Sequence, residues 1–259
     1  MTFLITGGTR GIGAGVARAA AGYGARVAVS GTDADAGKTV VASIEATGGE
    51  ALFVSCDVTD REQVQQMMVT VGDHFGGIDV LHNNAGVHES ALTTDVSIED
   101  MDPEVWDRVL AINLRGPWLC AKYALPYLKR SRRNPSIINS GSTGGLVGFP
   151  ASLAYGPSKG GLNLLTKNLA VELAPHGIRA NSFCAASVQT DMVERYLEAA
   201  EDREATLRTM SATHLVPRIG TPEDVAHLVC FLASEQASFV NGVTWLIDGG
   251  AFAWRGSRS

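Results

Sequence analysis

The sequence predicts an α/β protein, a single doubly wound domain over residues 1–259 with a seven-stranded parallel sheet. Strand-like and helix-like segments alternate along almost the whole chain. The helical segments are long enough to serve as the crossover connections that parallel strands require. No Pro/Ser-rich linker, change in composition or internal repeat divides the chain. The predicted strands are residues 3–6, 26–30, 51–55, 79–82, 136–139, 179–183 and 243–247.

Helices are predicted between these strands. The pairs Gly48-Gly49 and Gly76-Gly77 end two of them, because glycine is common just past a helix C-terminus. In doubly wound sheets ligands bind outside the carboxyl ends of the strands, so functional residues should directly follow strands. The predicted helices are residues 12–23, 36–47, 62–75, 104–114, 118–129, 153–173 and 222–233, with a polar helical segment at 193–210.

Composition excludes several classes of function. Lys+Arg minus Asp+Glu is 21 − 27 = −6, which argues against a nucleic-acid-binding surface. The four cysteines form no CxxC pair, as expected of free thiols in a reducing compartment. No apolar run approaches the roughly 18 residues of a membrane span. The six histidines show no HxH or HExxH spacing. We therefore expect a cytoplasmic protein with no metal, nucleic-acid or membrane partner.

A glycine-rich turn, TGGTRGIG, follows the first predicted strand and opens the first helix. Gly7, Gly11 and Gly13 permit positive φ and remove side chains where a diphosphate would approach. The helix N-terminus then offers free N–H groups and partial positive charge to the phosphates. A tight strand–helix connection is the alternative, but the position after the first strand favours nucleotide binding.

The end of the second strand bears on which nucleotide binds. An NAD site has an acidic residue about 20 residues further on that binds the ribose 2′-hydroxyl. Here Gly31 and Thr32 stand there, and Arg10 with the Thr32 hydroxyl could bind a 2′-phosphate. NADP(H) is therefore favoured. NAD(H) remains open because a small loop shift could bring Asp33 to the ribose, although Asp33 and Asp35 are better interpreted as N-capping residues.

Six motifs occur in order along the chain. They are TGGTRGIG (6–13), CDVTD (56–60), NNAG (83–86), INLRG with Asn113, Ser142, and YGPSK (155–159). By these motifs the sequence resembles the short-chain dehydrogenase/reductase family in its compact, single-domain Rossmann-type form, over essentially the whole chain. The resemblance implies a nicotinamide-dependent oxidoreductase that interconverts carbonyl groups and secondary alcohols.

The resemblance also assigns cofactor contacts. Asp57 would bind the adenine amine, Thr190 the nicotinamide carboxamide or the diphosphate, and Val188 would make a backbone contact. Without the family, Asp57 could be a helix cap before Arg61, and NNAG could be a turn. The expected cofactor-binding residues are Gly7, Thr9, Arg10, Gly11, Ile12, Gly13, Thr32, Asp57, Val58, Asn84, Ala85, Gly86, Tyr155, Lys159, Val188 and Thr190.

Tyr155 and Lys159 lie four residues apart on a predicted helix and so share one face. A free tyrosine has a pKa of about 10, and a nearby ammonium stabilises the phenolate, bringing the pKa closer to neutral pH. Ser142 can hold the substrate oxygen, with Ser140 as its competitor. By the resemblance Lys159 also binds the nicotinamide ribose, and Asn113 holds a water that links Lys159 to solvent. The expected catalytic residues are Asn113, Ser142, Tyr155 and Lys159.

Two features depart from the family pattern. Ala185-Ala186 stands where the family usually has Pro-Gly, which should change the stiffness of the following loop. The loop 87–102 is long and acidic, and would disfavour anionic substrates if it lines the mouth. The segment 193–210 could act as a lid. An apolar set predicts a small or medium apolar ketone or secondary alcohol as substrate: Leu146, Phe149, Leu153, Met192, Val193, Tyr196 and Leu197.

Two alternative functions stay open. One is a 3-oxoacyl-(acyl-carrier-protein) reductase, for which the basic cluster 129–133 would dock the carrier, although such a cluster is also typical of a helix C-terminus. The other is a catalytically silent NAD(P)-binding regulator, against which the four catalytic residues argue. Family members commonly assemble through the helices that carry Asn113 and Tyr155, so we expect a homo-oligomer, either a tetramer or a dimer.

Overall fold

The computed structural model describes residues 1–198 and 200–254 of the chain. Its strands are β1 (Thr2–Thr6), β2 (Arg26–Gly31), β3 (Glu50–Ser55), β4 (Val80–Asn83), β5 (Ser136–Ser142), β6 (Arg179–Ala185) and β7 (Thr244–Ile247). Its α-helices are α1 (Gly11–Gly22), α2 (Ala34–Glu45), α3 (Arg61–Phe75), α4 (Pro103–Leu110), α5 (Gly116–Leu128), α6 (Tyr155–Leu173), α7 (Asp191–Glu198), α8 (Arg203–Ala212) and α9 (Pro222–Ala233).

The strands form one parallel sheet. Across the described ranges its order is β3-β2-β1-β4-β5-β6-β7, and each neighbouring pair is parallel. The chain runs from β1 outward to β3 and then crosses back to β4 on the other side of β1. This reversal creates a crevice at the carboxyl ends of β1 and β4, where doubly wound sheets bind ligands. The predicted fold class is confirmed.

Helices cover both faces of the sheet. Leu4 and Ile5 of β1 point to opposite faces, because strand side chains alternate. Ile5 belongs to an apolar cluster with Val16 of α1, and Leu4 belongs to a second cluster with Met67 of α3 and Leu119 of α5. Burial on both sides explains why the central strands are apolar runs rather than alternating patterns.

All seven predicted strands are present, with small shifts at their ends. The largest extension is in β5, predicted to end at residue 139. It continues to Ser142 because the pairing with β6 persists as far as Ser142 opposite Ala185. Ser142 is therefore held in a hydrogen-bonded strand, rather than in the loop that follows it.

The two helices predicted at 104–114 and 118–129 are joined. A π-helical turn, Ala111–Arg115, connects α4 directly to α5, and Asn113 lies within it. Single π-helical turns inside α-helices occur frequently at functional sites.

The polar segment predicted at 193–210 forms two helices, α7 and α8. Residue 199, which follows α7 in the sequence, lies outside the described part of the chain. Residues 255–259 of the predicted domain also lie outside it. Among the helices that the structure describes, none has the length and apolar character needed to cross a membrane.

Candidate active site

The glycine turn between β1 and α1 is held against the residues that follow β4. Gly7 has a φ of +60°, and a Cβ there would lie 2.7 Å from the Ala85 Cα. The Asn84 side-chain amide donates hydrogen bonds to the carbonyl oxygens of Thr6 (3.2 Å) and Gly7 (2.8 Å). NNAG thus does more than make a turn, because Asn84 and Ala85 fix the glycine turn in place.

The N-terminus of α1 is not capped by a side chain. Arg10 occupies the N-cap position and makes no capping hydrogen bond within the described residues, and the first turn contains no acidic side chain. By contrast, Asp33, Asp60 and Thr221 cap the helices α2, α3 and α9. The free N–H groups and partial positive charge of α1 therefore fit the diphosphate of a dinucleotide.

The residues expected at the adenosine ribose lie beside this turn. Asp33 accepts a hydrogen bond from the Ala36 backbone N–H (3.1 Å), so the N-capping interpretation of Asp33 matches the geometry. Thr32 is exposed. The Arg10 guanidinium is half-exposed and lies 3.7 Å from the Asp191 carboxylate.

Asp57 follows β3 but does not cap α3, since Asp60 does so. Its carboxylate accepts hydrogen bonds from the backbone and hydroxyl of Thr59 and pairs with Arg108 at 3.0 Å. Partial burial acts to raise the pKa of Asp57, but these hydrogen bonds outweigh it and hold the pKa below its usual value. Beside it lies a cavity of about 570 Å³ lined by Asp57, Thr59, Asp60, Arg61, Glu62, Gln63 and Arg115.

On the other side of the crevice, Ser142 and Tyr155 face each other. A Cβ at Gly144 would lie 3.5 Å from the Ser142 Oγ and 3.8 Å from the Tyr155 Cδ1, so the Ser142 hydroxyl lies close to the Tyr155 ring. The Ser142 Oγ accepts a hydrogen bond from the Gly144 backbone N–H (3.1 Å), which leaves its own proton free to point at the phenol oxygen. Ser140 does not compete for this position, because its hydroxyl donates to the side-chain oxygen Oδ1 of Asn84 at 3.3 Å.

The pKa of Tyr155 differs from the sequence-based expectation. Burial raises the pKa of the phenol, the nearby Ser142 hydroxyl lowers it, and Cys184 and Glu89 raise it, with a net upward shift. The predicted lowering by Lys159 does not dominate. The ammonium lies 5.6 Å from the centre of the Tyr155 ring and donates to the Ser140 carbonyl oxygen at 2.8 Å instead.

Lys159 is itself strongly perturbed. Its side chain is buried, and burial lowers its pKa to about 8. His82 is buried nearby, and its Nε2 lies 3.0 Å from the Ser140 hydroxyl. Burial and the charge of Lys159 lower the pKa of His82 to about 3. The Ser140 hydroxyl already donates to Asn84, so it must accept from His82. Lys159 and a neutral His82 therefore contact the same residue, Ser140, at its carbonyl oxygen and its hydroxyl respectively.

Asn113 is buried on the π-helical turn and its amide is fully engaged. The amide donates to the Val87 carbonyl oxygen (2.8 Å) and to the Ser158 hydroxyl (3.1 Å), and its oxygen accepts from the Val87 N–H (2.9 Å). A Cβ at Gly86 would lie 3.2 Å from the Lys159 Nζ. Asn113 thus fastens the chain after NNAG to the helix that carries Tyr155 and Lys159.

The loop after β6 lies next to the glycine turn. A Cβ at Gly11 would lie 3.1 Å from the Thr190 Cγ2, and Val188 is buried and pairs with Gly220 as an isolated bridge. Ala186 donates its N–H to the Ile247 carbonyl oxygen at 3.3 Å. Ala185-Ala186 therefore continues the pairing with β7.

Sequence reasoning missed the role of Glu89. We expected it to contribute to an acidic loop, whereas it is fully buried and its carboxylate accepts hydrogen bonds from the backbone N–H groups of Ala154 and Tyr155. The His88 ring beside it lies 4.9 Å from the Tyr155 ring. Sequence alone did not mark it, because the lack of a side-chain cap at Ala154 becomes visible only once the helix is known to begin at Tyr155.

Most of the apolar side chains expected at the mouth are exposed there. Leu146, Phe149, Met192 and Tyr196 are each exposed by 43% or more, whereas Leu197 is buried and packs in the interior. Among the residues that the structure describes, no group of His, Cys, Asp and Glu is arranged to hold a metal ion.

The chain is similar over nearly its whole length to known enzymes. The family model described as Enoyl-(Acyl carrier protein) reductase matches residues 7–251. The D-beta-hydroxybutyrate dehydrogenase of Cupriavidus necator is 37% identical over 256 residues, 96% of either chain. The 3-oxoacyl-(acyl-carrier-protein) reductase of Synechocystis sp. is 37% identical over 254 residues, 95% of either chain. A solved dehydrogenase/reductase from Sinorhizobium meliloti 1021 has a TM-score of 0.86 at 34% identity, over 96% of this chain and 94% of that chain.

The fold, and the glycine turn that leads into the uncapped N-terminus of α1, define a dinucleotide-binding α/β enzyme. The chain belongs to the short-chain dehydrogenase/reductase family, as its motifs predict. It is an oxidoreductase that uses NAD(P)(H), and its named relatives are dehydrogenases and reductases of alcohols and ketones.

Proposed function

We propose that the enzyme interconverts a small or medium apolar ketone and the corresponding secondary alcohol, with NADP(H) preferred, through Asn113, Ser142, Tyr155 and Lys159. The position of Ser142 beside Tyr155, both within 3.8 Å of the Cβ position of Gly144, carries this proposal. It sets two hydroxyl groups side by side at the carboxyl edge of the sheet. A substrate oxygen that binds both hydroxyls is held and can exchange a proton at the same point.

The four residues divide the work. Ser142, fixed by the Gly144 N–H, holds the substrate oxygen, and Tyr155 gives it a proton in ketone reduction or takes one in alcohol oxidation. Lys159 supplies a positive charge that favours the phenolate left behind. Asn113 binds Val87, after NNAG, and Ser158 of the helix that carries Tyr155 and Lys159, and so holds the two segments together. When bound, the nicotinamide supplies or accepts the hydride at the carbon that carries the oxygen.

The preference for NADP(H) is supported by the disposition of charges near the end of β2. The Asp33 carboxylate, which an NAD site would use, is engaged in capping α2. Arg10 is half-exposed and makes only a long surface ion pair with Asp191. Such pairs contribute about 0–1 kcal/mol, so the 2′-phosphate of NADP(H) can replace Asp191 as the partner of the Arg10 guanidinium.

The alternative of a carrier-bound substrate is favoured by the Synechocystis relative and by the description of the family model. The basic cluster 129–133 gives this alternative little support. Ser131 donates to Asp79, and Asp79 also accepts from the Thr2 N–H, so the cluster lies at the amino ends of β1 and β4. Ser142 lies at the opposite edge, about 20 Å away along a seven-residue strand.

A homo-oligomer is also proposed, assembled through α5 and α6. The exposed apolar side chains Trp118, Leu164 and Val171 on these helices support it. Light scattering of the purified protein at working concentration gives the number of subunits directly, and a monomer would contradict the proposal.

The function is tested by assaying the purified enzyme with NADPH and with NADH on a panel of apolar ketones, oxo acids and carrier-bound 3-oxoacyl substrates. The proposal expects turnover of apolar ketones, highest with NADPH, and a large loss in Ser142→Ala. Turnover restricted to carrier-bound substrates would favour the reductase alternative. Cofactor binding with no turnover on the whole panel would favour the silent regulator.

A further inference from the structure

The start of α6 is held from outside its own segment. Residues 146–151, which lead into it, are exposed, and Ala154 at the N-cap has no side chain that could cap the helix. The carboxylate of Glu89, from the loop after β4, fills this role. One oxygen accepts from the Ala154 N–H (3.0 Å) and the other from the Tyr155 N–H (3.1 Å).

The other N–H groups at this end are accounted for. Gly156 donates to the Ser152 carbonyl oxygen at 3.1 Å, Pro157 has no N–H, and Ser158 makes the first intrahelical bond, to the Ala154 carbonyl. Helix termini leave such donors unsatisfied unless an acceptor is provided. Both donors that remain therefore depend on Glu89.

The Glu89 carboxylate is completely buried, and burying a charge is unfavourable unless it is compensated. Compensation comes from the two N–H groups and from the positive end of a 19-residue helix. The only basic side chain within 4 Å in the described chain is His88, whose Nδ1 lies 3.7 Å from the Glu89 Oε2. Burial lowers the pKa of His88, so its ring is mainly neutral at neutral pH.

We propose that Glu89 is a positioning residue for proton transfer: by binding the Ala154 and Tyr155 backbone it fixes the first residue of α6, and with it the Tyr155 phenol, against Ser142. This inference rests on the proposed function, since it matters only if Tyr155 transfers the proton. Tyr155 is the first residue of α6, so a shift of the helix start moves the phenol directly.

The charge of Glu89 has a second, separable effect. The charged and titratable groups near the phenol are Glu89, Cys184, Lys159 and His88, and among them Glu89 and Cys184 raise the pKa of Tyr155. Removing the Glu89 charge should therefore lower the pKa of Tyr155. A purely structural role for Glu89 gives no such shift.

The test is Glu89→Gln, which keeps the size of the side chain but offers a single acceptor oxygen and no charge. We expect kcat to fall by roughly 10- to 100-fold, because small misplacements of reacting groups cost this much. The KM for the nicotinamide cofactor should stay within about twofold, because the carboxylate of Glu89 binds the backbone of Ala154 and Tyr155 rather than the glycine turn. The limb of the pH profile for alcohol oxidation should move to lower pH.

Two variants complete the design. Glu89→Asp keeps the charge and should retain a kcat between those of the wild type and Glu89→Gln, with the pH limb in its original place. Glu99→Gln, an exposed residue of the same loop, is the matched control and should behave as wild type. If Glu89→Gln does not fold, a several-fold lower kcat in Glu89→Asp with an unmoved limb supports the proposal, and a wild-type kcat overturns it.

The outcomes separate this inference from the proposed function. An unchanged kcat in Glu89→Gln, or a fall in kcat with an equal loss of cofactor affinity, overturns the positioning role, whereas a fall in kcat without a shift of the pH limb overturns only the electrostatic effect. A kcat close to that of the wild type in Tyr155→Phe overturns the proposed function, whatever the kcat of the Glu89 variants. If Tyr155→Phe is inactive while Glu89→Gln is normal, only the inference about Glu89 fails.

Discussion

The Lys159 ammonium donates a hydrogen bond to the backbone carbonyl oxygen of Ser140, at 2.8 Å. This bond ties the N-terminal part of α6 to β5, two residues before Ser142. It also holds the ammonium within the interior, where its pKa is lowered to about 8. The lysine to which we assign a role in the proposed catalysis should therefore also influence the pH dependence of stability.

Stability should rise with pH between about 8 and 10 because of Lys159. Its pKa in the folded protein is about 8, against 10.5 in a free side chain, so the unfolded state binds the additional proton over this interval. Between pH 8 and 9.5 we expect a gain of about 1–2 kcal/mol in the free energy of unfolding relative to Lys159→Met. Urea unfolding of both proteins at the two pH values measures it, and equal slopes would contradict the low pKa.

His82 should make the protein sensitive to acid. Burial lowers the pKa of its ring from 6.5 to about 3, so only the unfolded state gains the proton as the pH falls through 6.5. Between pH 6.5 and 4.5 the wild type should lose roughly 2 kcal/mol more stability than His82→Gln. Denaturant unfolding at both pH values gives this difference, and a parallel loss in the two proteins would show that His82 titrates normally.

Arg10 should discriminate between the two cofactors. A hydrogen bond to a charged group contributes roughly 1.5–3 kcal/mol, so Arg10→Ala should raise the KM for NADPH by about tenfold or more and leave that for NADH within about twofold. Arg18→Ala, which removes a guanidinium further along α1 that binds Ser43, is the control. Equal effects of Arg10→Ala on both cofactors would remove the basis for an NADP(H) preference.

Periodicity and motif order suffice to predict the fold and to point at Ser142, Tyr155 and Lys159. Each strand is a short apolar run followed by a turn, and that pattern is local. The end of β5 at Ser142 was less predictable, because it depends on pairing with β6, which is distant in sequence.

The environment of the phenol could not be predicted from spacing alone. An i, i+4 relationship places Tyr155 and Lys159 on one face of a helix, but it does not say which acceptor the ammonium will choose. The Ser140 carbonyl oxygen, supplied by β5, decides this. Glu89 was likewise indistinguishable from its acidic neighbours in sequence, because its burial depends on where α6 begins.

The most direct test of the central claim is the turnover of Tyr155→Phe, measured together with its affinity for NADPH. The substitution removes only the phenol oxygen, so the affinity for the cofactor should stay within about twofold. Loss of a positioned acid or base costs roughly 10²- to 10⁴-fold in kcat, and a fall of this size is the predicted result. A kcat close to that of the wild type, with the cofactor bound normally, would contradict proton transfer by Tyr155.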